Sequence, residues 1–259
     1  MPPFLHAYER VLTIAIPAGA AGLVLRMWHQ GLAVRYRYFL AYLIYLMLAP
    51  CVLLFVNKRS DAYFYAFAAS EIVAWVLQSL IIFELFTLLF NNYTGVAVAG
   101  RDFMKLALAL AVLITLLLAV LNHESGPGKY PVIETFFLAS RVVTSLILAF
   151  VVLMIGFLLW FPLPLSRNTL AYLGGYSVYF LGRGLTQFAG NMFGPDAYLL
   201  LSSVSLTITF GCLLFWIIRL TRAGEKAAVT VGRRSDPVEE GRLVRQLEAI
   251  NASLARARK

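Results

Sequence analysis

The sequence predicts an all-α polytopic membrane protein: a bundle of seven transmembrane helices with the N-terminus outside and the C-terminus inside, followed by a short cytosolic amphipathic helix. Hydrophobic residues make up 61% of the 259-residue chain and charged residues only 14%, and the mean hydropathy is +0.79. This balance lies far from that of soluble proteins. In addition, seven apolar runs approach or exceed the roughly 20 residues that a helix needs to cross a bilayer.

The predicted spans lie near residues 9–27, 38–56, 63–90, 103–121, 131–160, 168–189 and 197–220. The residues before the first run lack the basic stretch and cleavage site of a signal peptide, so we expect this run to be retained as a helix. Pro17 and Pro50 lie inside the first two spans, where neighbouring helices can compensate for a missing backbone hydrogen bond. Cys51 and Cys212 lie at different predicted depths, so we expect no disulfide between them.

The orientation follows from the basic residues, which are retained preferentially on the cytoplasmic side. The end of the seventh span and the chain after it carry Arg219, Arg222, Lys226, Arg233 and Arg234, which predicts an inner C-terminus. With seven spans, the N-terminus then lies outside. Arginine outnumbers lysine 17 to 5, a bias associated with GC-rich bacterial genomes, and the expected location is therefore a bacterial cytoplasmic (inner) membrane.

We expect three segments: a transmembrane domain over residues 1–222, a linker over 223–235 and a cytosolic amphipathic helix over 236–259. Asp236 and Glu239 flank Pro237 in a pattern typical of a helix start. Leucine and isoleucine side chains then recur on one helical face, which favours either a helix resting on the membrane or one that binds a second copy or a cytosolic partner. These residues are Leu243, Leu247, Ile250 and Leu254.

The net charge of +9 bears on the partners of the chain. Basic residues concentrated beside a membrane favour anionic lipid headgroups. Acidic residues interrupt them and no nucleic-acid reader motif is present, so we expect no nucleic-acid partner.

Polar and charged residues inside the spans predict the functional site. On the sixth span, one face carries the polar stripe Tyr172, Tyr176, Tyr179, Arg183, Thr186 and Gln187. The opposite, apolar face carries Leu170, Leu181, Leu185 and Phe188. Charges within a bilayer are expected to face the bundle interior and to pair with one another. With a helical rise of about 1.5 Å per residue, Glu71, Arg141 and Arg183 lie in the predicted outer half of the membrane. The candidate ligand-binding residues are Glu71, Gln78, Arg141, Ser145, Tyr176, Tyr179, Arg183, Gln187, Ser202 and Ser205.

Two interpretations of this set stay open. In one, Glu71 pairs with Arg141 or Arg183 and only joins helices. In the other, two guanidinium groups and one carboxylate line a cavity that is open to the outside and binds an anionic ligand among spans three, five, six and seven. A second intramembrane acid, Glu84, lies near the predicted inner surface, where we expect it to pair with Lys105 or Arg219.

The favoured function is a receptor-like sensory or regulatory module in which ligand binding is transmitted to the basic tail, as in signal transduction. The alternatives are a small-solute transporter or channel, and a scaffold or assembly subunit whose ion pairs are structural. The predicted spans contain no histidine and no pair of aspartates, and no hydrolase or nucleotide-binding motif is present. We therefore expect neither enzymatic activity nor a metal, and no cofactor: the seventh span lacks the lysine that would bind retinal.

Overall fold

A computed structural model describes residues 3–56, 61–90, 93, 95–96, 98, 100, 102–110, 113, 131–161, 163–194, 197–231 and 237–256. Within these residues the chain is almost entirely helical. The long helices are α1 (Pro3–His29), α2 (Arg37–Leu54), α3 (Asp61–Leu89), α5 (Pro131–Trp160), α6 (Arg167–Phe193) and α7 (Tyr198–Arg219). The helical residues 102–110 form the described part of α4. Two further helices, α8 (Arg222–Lys226) and α9 (Pro237–Arg256), follow α7.

The helix boundaries agree closely with the apolar runs of the sequence. Among the described residues, four helical segments are long and apolar enough to cross a membrane: Phe4–His29, Ala62–Leu89, Ala139–Trp160 and Tyr198–Arg219. The apolar part of α2 is shorter, and α6 is less hydrophobic because its polar stripe lowers its mean hydropathy. Most of the predicted span 103–121 lies outside the described residues. The structure thus supports a helical membrane protein, while the count of seven spans and their orientation stay predictions.

The helices pack so that α6 contacts α3, α5 and α7. Three of the four predicted apolar residues of α6, Leu181, Leu185 and Phe188, are exposed, whereas Tyr172 and Tyr176 are fully buried. The fourth, Leu170, is partly buried and packs against the core. The buried tyrosines belong to an aromatic cluster that also includes Phe39 and Trp216. Cys51 and Cys212 are both free, as expected.

The described part of the predicted linker, residues 223–235, contains regular secondary structure. It contains α8 and the strand β2 (Ala228–Val231), which pairs antiparallel with β1 (Leu163–Ser166) between α5 and α6. The Arg167 amide also donates to the Ala227 carbonyl (3.0 Å). Pairing between strands so distant in sequence has no local signature, so the small residues of this segment resembled a flexible connection.

The C-terminal helix begins at Pro237, as the sequence predicts, but it docks on its own chain. The side-chain oxygen of Asn251 accepts hydrogen bonds from the backbone amides of Gly95 (2.7 Å) and Val96 (3.3 Å). Leu247 is only 1% exposed and belongs to the protein core. Leu247 therefore packs within its own chain whereas Ile250 is exposed, and binding of α9 to a second molecule stays a prediction.

Candidate functional site

An ion pair between α3 and α6 lies at the centre of the candidate site. The Nη2 atom of Arg183 lies 2.7 Å from Oε2 of Glu71, and the two side chains are 21% and 22% exposed. The Nη1 atom of Arg183 also donates to the hydroxyl of Tyr179, one helical turn earlier, at 3.2 Å. The two helices are antiparallel, because residues later in α3 contact residues earlier in α6. Arg183 is therefore held from two sides by an acid and a phenol.

A cavity of about 450 Å³, here called the first cavity, opens beside this ion pair. It lies among α3, α5, α6 and α7, the four helices that the sequence predicts. Six of the ten candidate residues line it: Glu71, Arg141, Arg183, Gln187, Ser202 and Ser205. The sequence analysis did not select the other lining residues, which are Phe67, Phe136, Ser140, Thr186, Gly190, Tyr198 and Leu201. Helical spacing identified Thr186 as part of the polar stripe, but nothing local identifies the apolar walls.

The charges of the first cavity are unequal. Its wall carries the guanidinium groups of Arg141 and Arg183 and the carboxylate of Glu71. Because Glu71 is paired with Arg183, Arg141 supplies the surplus positive charge. Arg141 is exposed and makes no hydrogen bond or ion pair with the rest of the described chain. The side chain of Glu134, on the same face of α5, lies outside the described residues.

The remaining candidate residues lie elsewhere. Gln78 is buried and donates to the hydroxyls of Tyr42 and Tyr179, both at 3.3 Å. These two tyrosine hydroxyls lie 2.8 Å apart. Tyr176 is enclosed in the aromatic cluster and its hydroxyl finds no partner among the described atoms. Ser145 is exposed on α5 and does not belong to the wall of the first cavity. The structure therefore does not bring Gln78, Tyr176 and Ser145 into the first cavity.

A second cavity, of about 590 Å³, lies on the other side of the ion pair, with α1 and α2 in its wall. It shares Phe67, Glu71, Arg183, Ser202 and Ser205 with the first cavity. Tyr179, one of the candidate residues, lines the second cavity. The Glu71–Arg183 pair therefore lies at the boundary between the first and the second cavity.

Glu84 does not pair as the sequence analysis expected. Its carboxylate accepts hydrogen bonds from the backbone amides of Tyr38 (3.1 Å) and Phe39 (3.3 Å) and from the hydroxyl of Tyr172 (3.0 Å). The first amides of a helix have no acceptor within the helix and carry partial positive charge, so a carboxylate from α3 replaces a basic partner. Lys105 instead pairs with Asp102 at 3.2 Å.

A second carboxylate, Glu225, lies beyond the predicted inner ends of the helices, in a surface layer formed by β1, α8 and β2. It pairs with Arg35 (Nε to Oε1, 2.8 Å) and accepts from Tyr36 (2.7 Å) and Asn168 (3.1 Å). Burial, followed by the hydrogen bond to Glu225, raises the pKa of Tyr36 well above the usual tyrosine value. Asn168 also exchanges hydrogen bonds with the backbone of Thr221, at 2.8 and 3.2 Å. The sequence analysis missed this cluster because its members are distant along the chain.

The described residues contain no group of three or more histidine, cysteine, aspartate or glutamate side chains that could hold a metal ion. Comparisons with protein-family models, with curated proteins and with solved structures find no match to this chain.

Proposed function

We propose that this chain is a receptor-like sensory or regulatory module that binds a small anionic ligand in the first cavity. The observation that supports this proposal most directly is Arg141, an arginine in the cavity wall without a counterion among the described residues. Arginine can hold a carboxylate or phosphate group through two parallel hydrogen bonds. Ser202 and Ser205 provide hydroxyl groups on the facing wall.

The connection between the first cavity and the opposite end of the bundle supports a reporting role. Helices α6 and α7 form two walls of the cavity, and the other ends of both helices are joined through Asn168 and Thr221. Glu225 lies at this junction, and β2 follows it directly. A ligand that changes the spacing of α6 and α7 would therefore act on the surface layer that precedes α9. We propose this route as the link from binding to signalling.

The experiment is a thermal-stability titration of the detergent-solubilised protein with acetate, succinate and inorganic phosphate. We expect at least one of these anions to raise the melting temperature of the wild type, and Arg141→Ala to abolish the increase without unfolding the protein. Arg10→Ala is the matched control, because Arg10 is an exposed arginine outside the cavity. An equal increase in Arg141→Ala and the wild type would refute the site.

Glu71→Gln gives an independent test of the same site. It removes the counterion of Arg183 while keeping the shape of the side chain. We expect tighter anion binding, because two unpaired guanidinium groups then face the cavity. If Glu71→Gln and Arg183→Ala both prevent folding and Arg141→Ala has no effect, the ion pair is a structural link and the scaffold alternative is favoured.

The transporter alternative is favoured by one observation. Polar groups on α3 and α6 continue from the Glu71–Arg183 pair through Gln78 and Tyr179 to Tyr172 and Glu84. Counterflow uptake in proteoliposomes distinguishes the two functions, since a receptor binds its ligand without translocating it. Saturable exchange of labelled anion across the membrane would assign this chain to transport.

The location and partners are also part of the proposal. We place the chain in a bacterial cytoplasmic membrane with seven spans, an outer N-terminus and an inner C-terminus. The basic residues after α7 then face anionic lipid headgroups. Ile250, exposed on α9, is available to a second copy or a cytosolic partner. Binding of the purified protein to nanodiscs with and without anionic lipid, and its mass in solution, test these assignments.

A further inference from the structure

The second cavity differs from the first in the chemistry of its walls. It extends among α1, α2, α3, α6 and α7, and the first two of these helices do not line the first cavity. Arg141 is absent from its wall, and Glu9 is present. The volume of about 590 Å³ is large enough for an organic molecule. The polar side chains that α1 and α2 contribute are the carboxylate of Glu9 and the hydroxyls of Thr13, Tyr42 and Tyr45.

Two prolines add acceptors to the same space. In an α-helix each carbonyl points towards the amide four residues later, and proline has no amide hydrogen. Pro17 therefore cannot donate to the Thr13 carbonyl, and Pro50 cannot donate to the Leu46 carbonyl. All four residues line the second cavity. The Thr13 and Leu46 carbonyls therefore have no helical donor. Their residues belong to the faces of α1 and α2 that meet at the second cavity.

Glu9 supplies the charge. Its Oε1 atom is buried and has no hydrogen-bond partner among the described atoms. The nearby hydroxyl of Thr13 donates to the backbone carbonyl of Glu9 (2.7 Å) rather than to the carboxylate. The other charges in the wall are Glu71 and Arg183, which pair with each other at 2.7 Å. The second cavity therefore carries a surplus of one negative charge, which the carboxylate of Glu9 provides.

Aromatic rings complete the site. Tyr45, Tyr63 and Phe67 line the cavity, and an aromatic face attracts an organic cation. The apolar side chains of the wall, such as Ile16 and Leu206, suit the carbon chain of an organic cation, whereas a bare inorganic cation such as Ca²⁺ takes about six to eight oxygen ligands. The wall thus combines the Glu9 carboxylate, two carbonyls without helical donors and the aromatic rings of Tyr42, Tyr45, Tyr63, Phe67 and Tyr179.

We propose that the second cavity binds the ammonium group of a small organic amine, with the carboxylate of Glu9 as its counterion. The Thr13 and Leu46 carbonyls accept hydrogen bonds from the ammonium, and the apolar and aromatic walls contact its carbon chain. This site differs from the anion site proposed above in its decisive charge, because Glu9 does not line the first cavity and Arg141 does not line the second.

The test uses n-butylammonium chloride as the probe on the full-length protein in detergent, with melting temperature and isothermal titration as readouts. Sodium chloride at the same concentration and sodium butyrate are the reference additions. We expect stabilisation by n-butylammonium beyond that by either salt. We further expect Glu9→Gln to weaken binding about tenfold or more, since it removes a charge-assisted hydrogen bond. Glu248→Gln, at an exposed site on α9, is the matched control and should bind as the wild type does.

Pro17→Ala provides a second variant should Glu9→Gln fail to fold. It restores an amide donor to the Thr13 carbonyl, so we expect weaker n-butylammonium binding in a helix that is at least as stable. Arg141→Ala should leave amine binding unchanged, which separates this proposal from the anion site. Equal stabilisation by sodium chloride and n-butylammonium, or unchanged amine binding in both Glu9→Gln and Pro17→Ala, would overturn the proposal.

Discussion

Substitution of Glu84 tests whether one carboxylate from α3 fixes the start of α2. The carboxylate is 7% exposed and accepts from the amides of Tyr38 and Phe39 and from the hydroxyl of Tyr172. The side chain preceding α2 makes no capping hydrogen bond of its own. Glu84→Ala therefore leaves three donors without their acceptor, one of them a fully buried phenol.

The magnitude follows from the number and environment of these bonds. A hydrogen bond to a charged group contributes about 1.5–3 kcal/mol net, and the amide of Tyr38 is only partly buried, so we expect Glu84→Ala to lower the free energy of unfolding by about 3–6 kcal/mol. Tyr172→Phe removes one of the three bonds and should cost about 1–3 kcal/mol. Glu84→Gln keeps an acceptor oxygen but loses the charge, so we expect it to lower the free energy of unfolding by more than Tyr172→Phe does and by less than Glu84→Ala does.

The assay is reversible unfolding in mixed micelles with increasing sodium dodecyl sulfate, followed by circular dichroism. Thr87→Ala is the matched control: Thr87 lies one turn further along α3, is exposed, and donates only to a carbonyl of its own helix. We expect it to change the free energy of unfolding by no more than about 0.5 kcal/mol. The role of Glu84 at the start of α2 is refuted if the free energy of unfolding of Glu84→Ala lies within about 1 kcal/mol of the wild-type value. It is also refuted if the effects of Glu84→Ala and Tyr172→Phe are fully additive in the double mutant.

Three further substitutions test other contacts. Tyr36→Phe removes a phenol whose pKa is raised first by burial and then by a carboxylate. The stabilisation from this phenol is complete below the ordinary tyrosine pKa of about 10 and is lost as the pH rises above it. The stability advantage of the wild type over this variant should therefore shrink as the pH rises past that value. Gly175→Ala places a methyl group against a tryptophan ring of α7 and should destabilise the protein by about 1–3 kcal/mol. In Gly174→Ala the methyl group meets open space, so this variant should be neutral or stabilising. Equal thermal unfolding of the two variants would contradict the close contact at Gly175. Asn251→Ala removes the acceptor for two backbone amides and should speed proteolysis of α9, while Ser253→Ala, whose hydroxyl bonds only locally, should not; equal cleavage rates would argue against docking.

Helix positions could be predicted from the sequence because hydrophobic runs of sufficient length have few alternatives in a bilayer. Water is absent there, so each backbone amide and carbonyl must pair within its own segment. The polar face of α6 was predictable for a related reason: a helix places residues three or four apart on one side. These local and periodic rules were enough to predict the four helices around the first cavity and to place Arg141 and Arg183 on faces that line it.

The partners of each charge required the tertiary structure. Glu71 had two arginines at comparable predicted depth, and the rotation of the helices selected Arg183, leaving Arg141 in the cavity wall. Glu84 received backbone amides and a phenol rather than a lysine or arginine. The pairing of β1 with β2 likewise joins segments far apart in the chain. Periodicity determines which face of a helix a residue occupies, but the neighbour of that face depends on how the helices pack, and no local pattern encodes it.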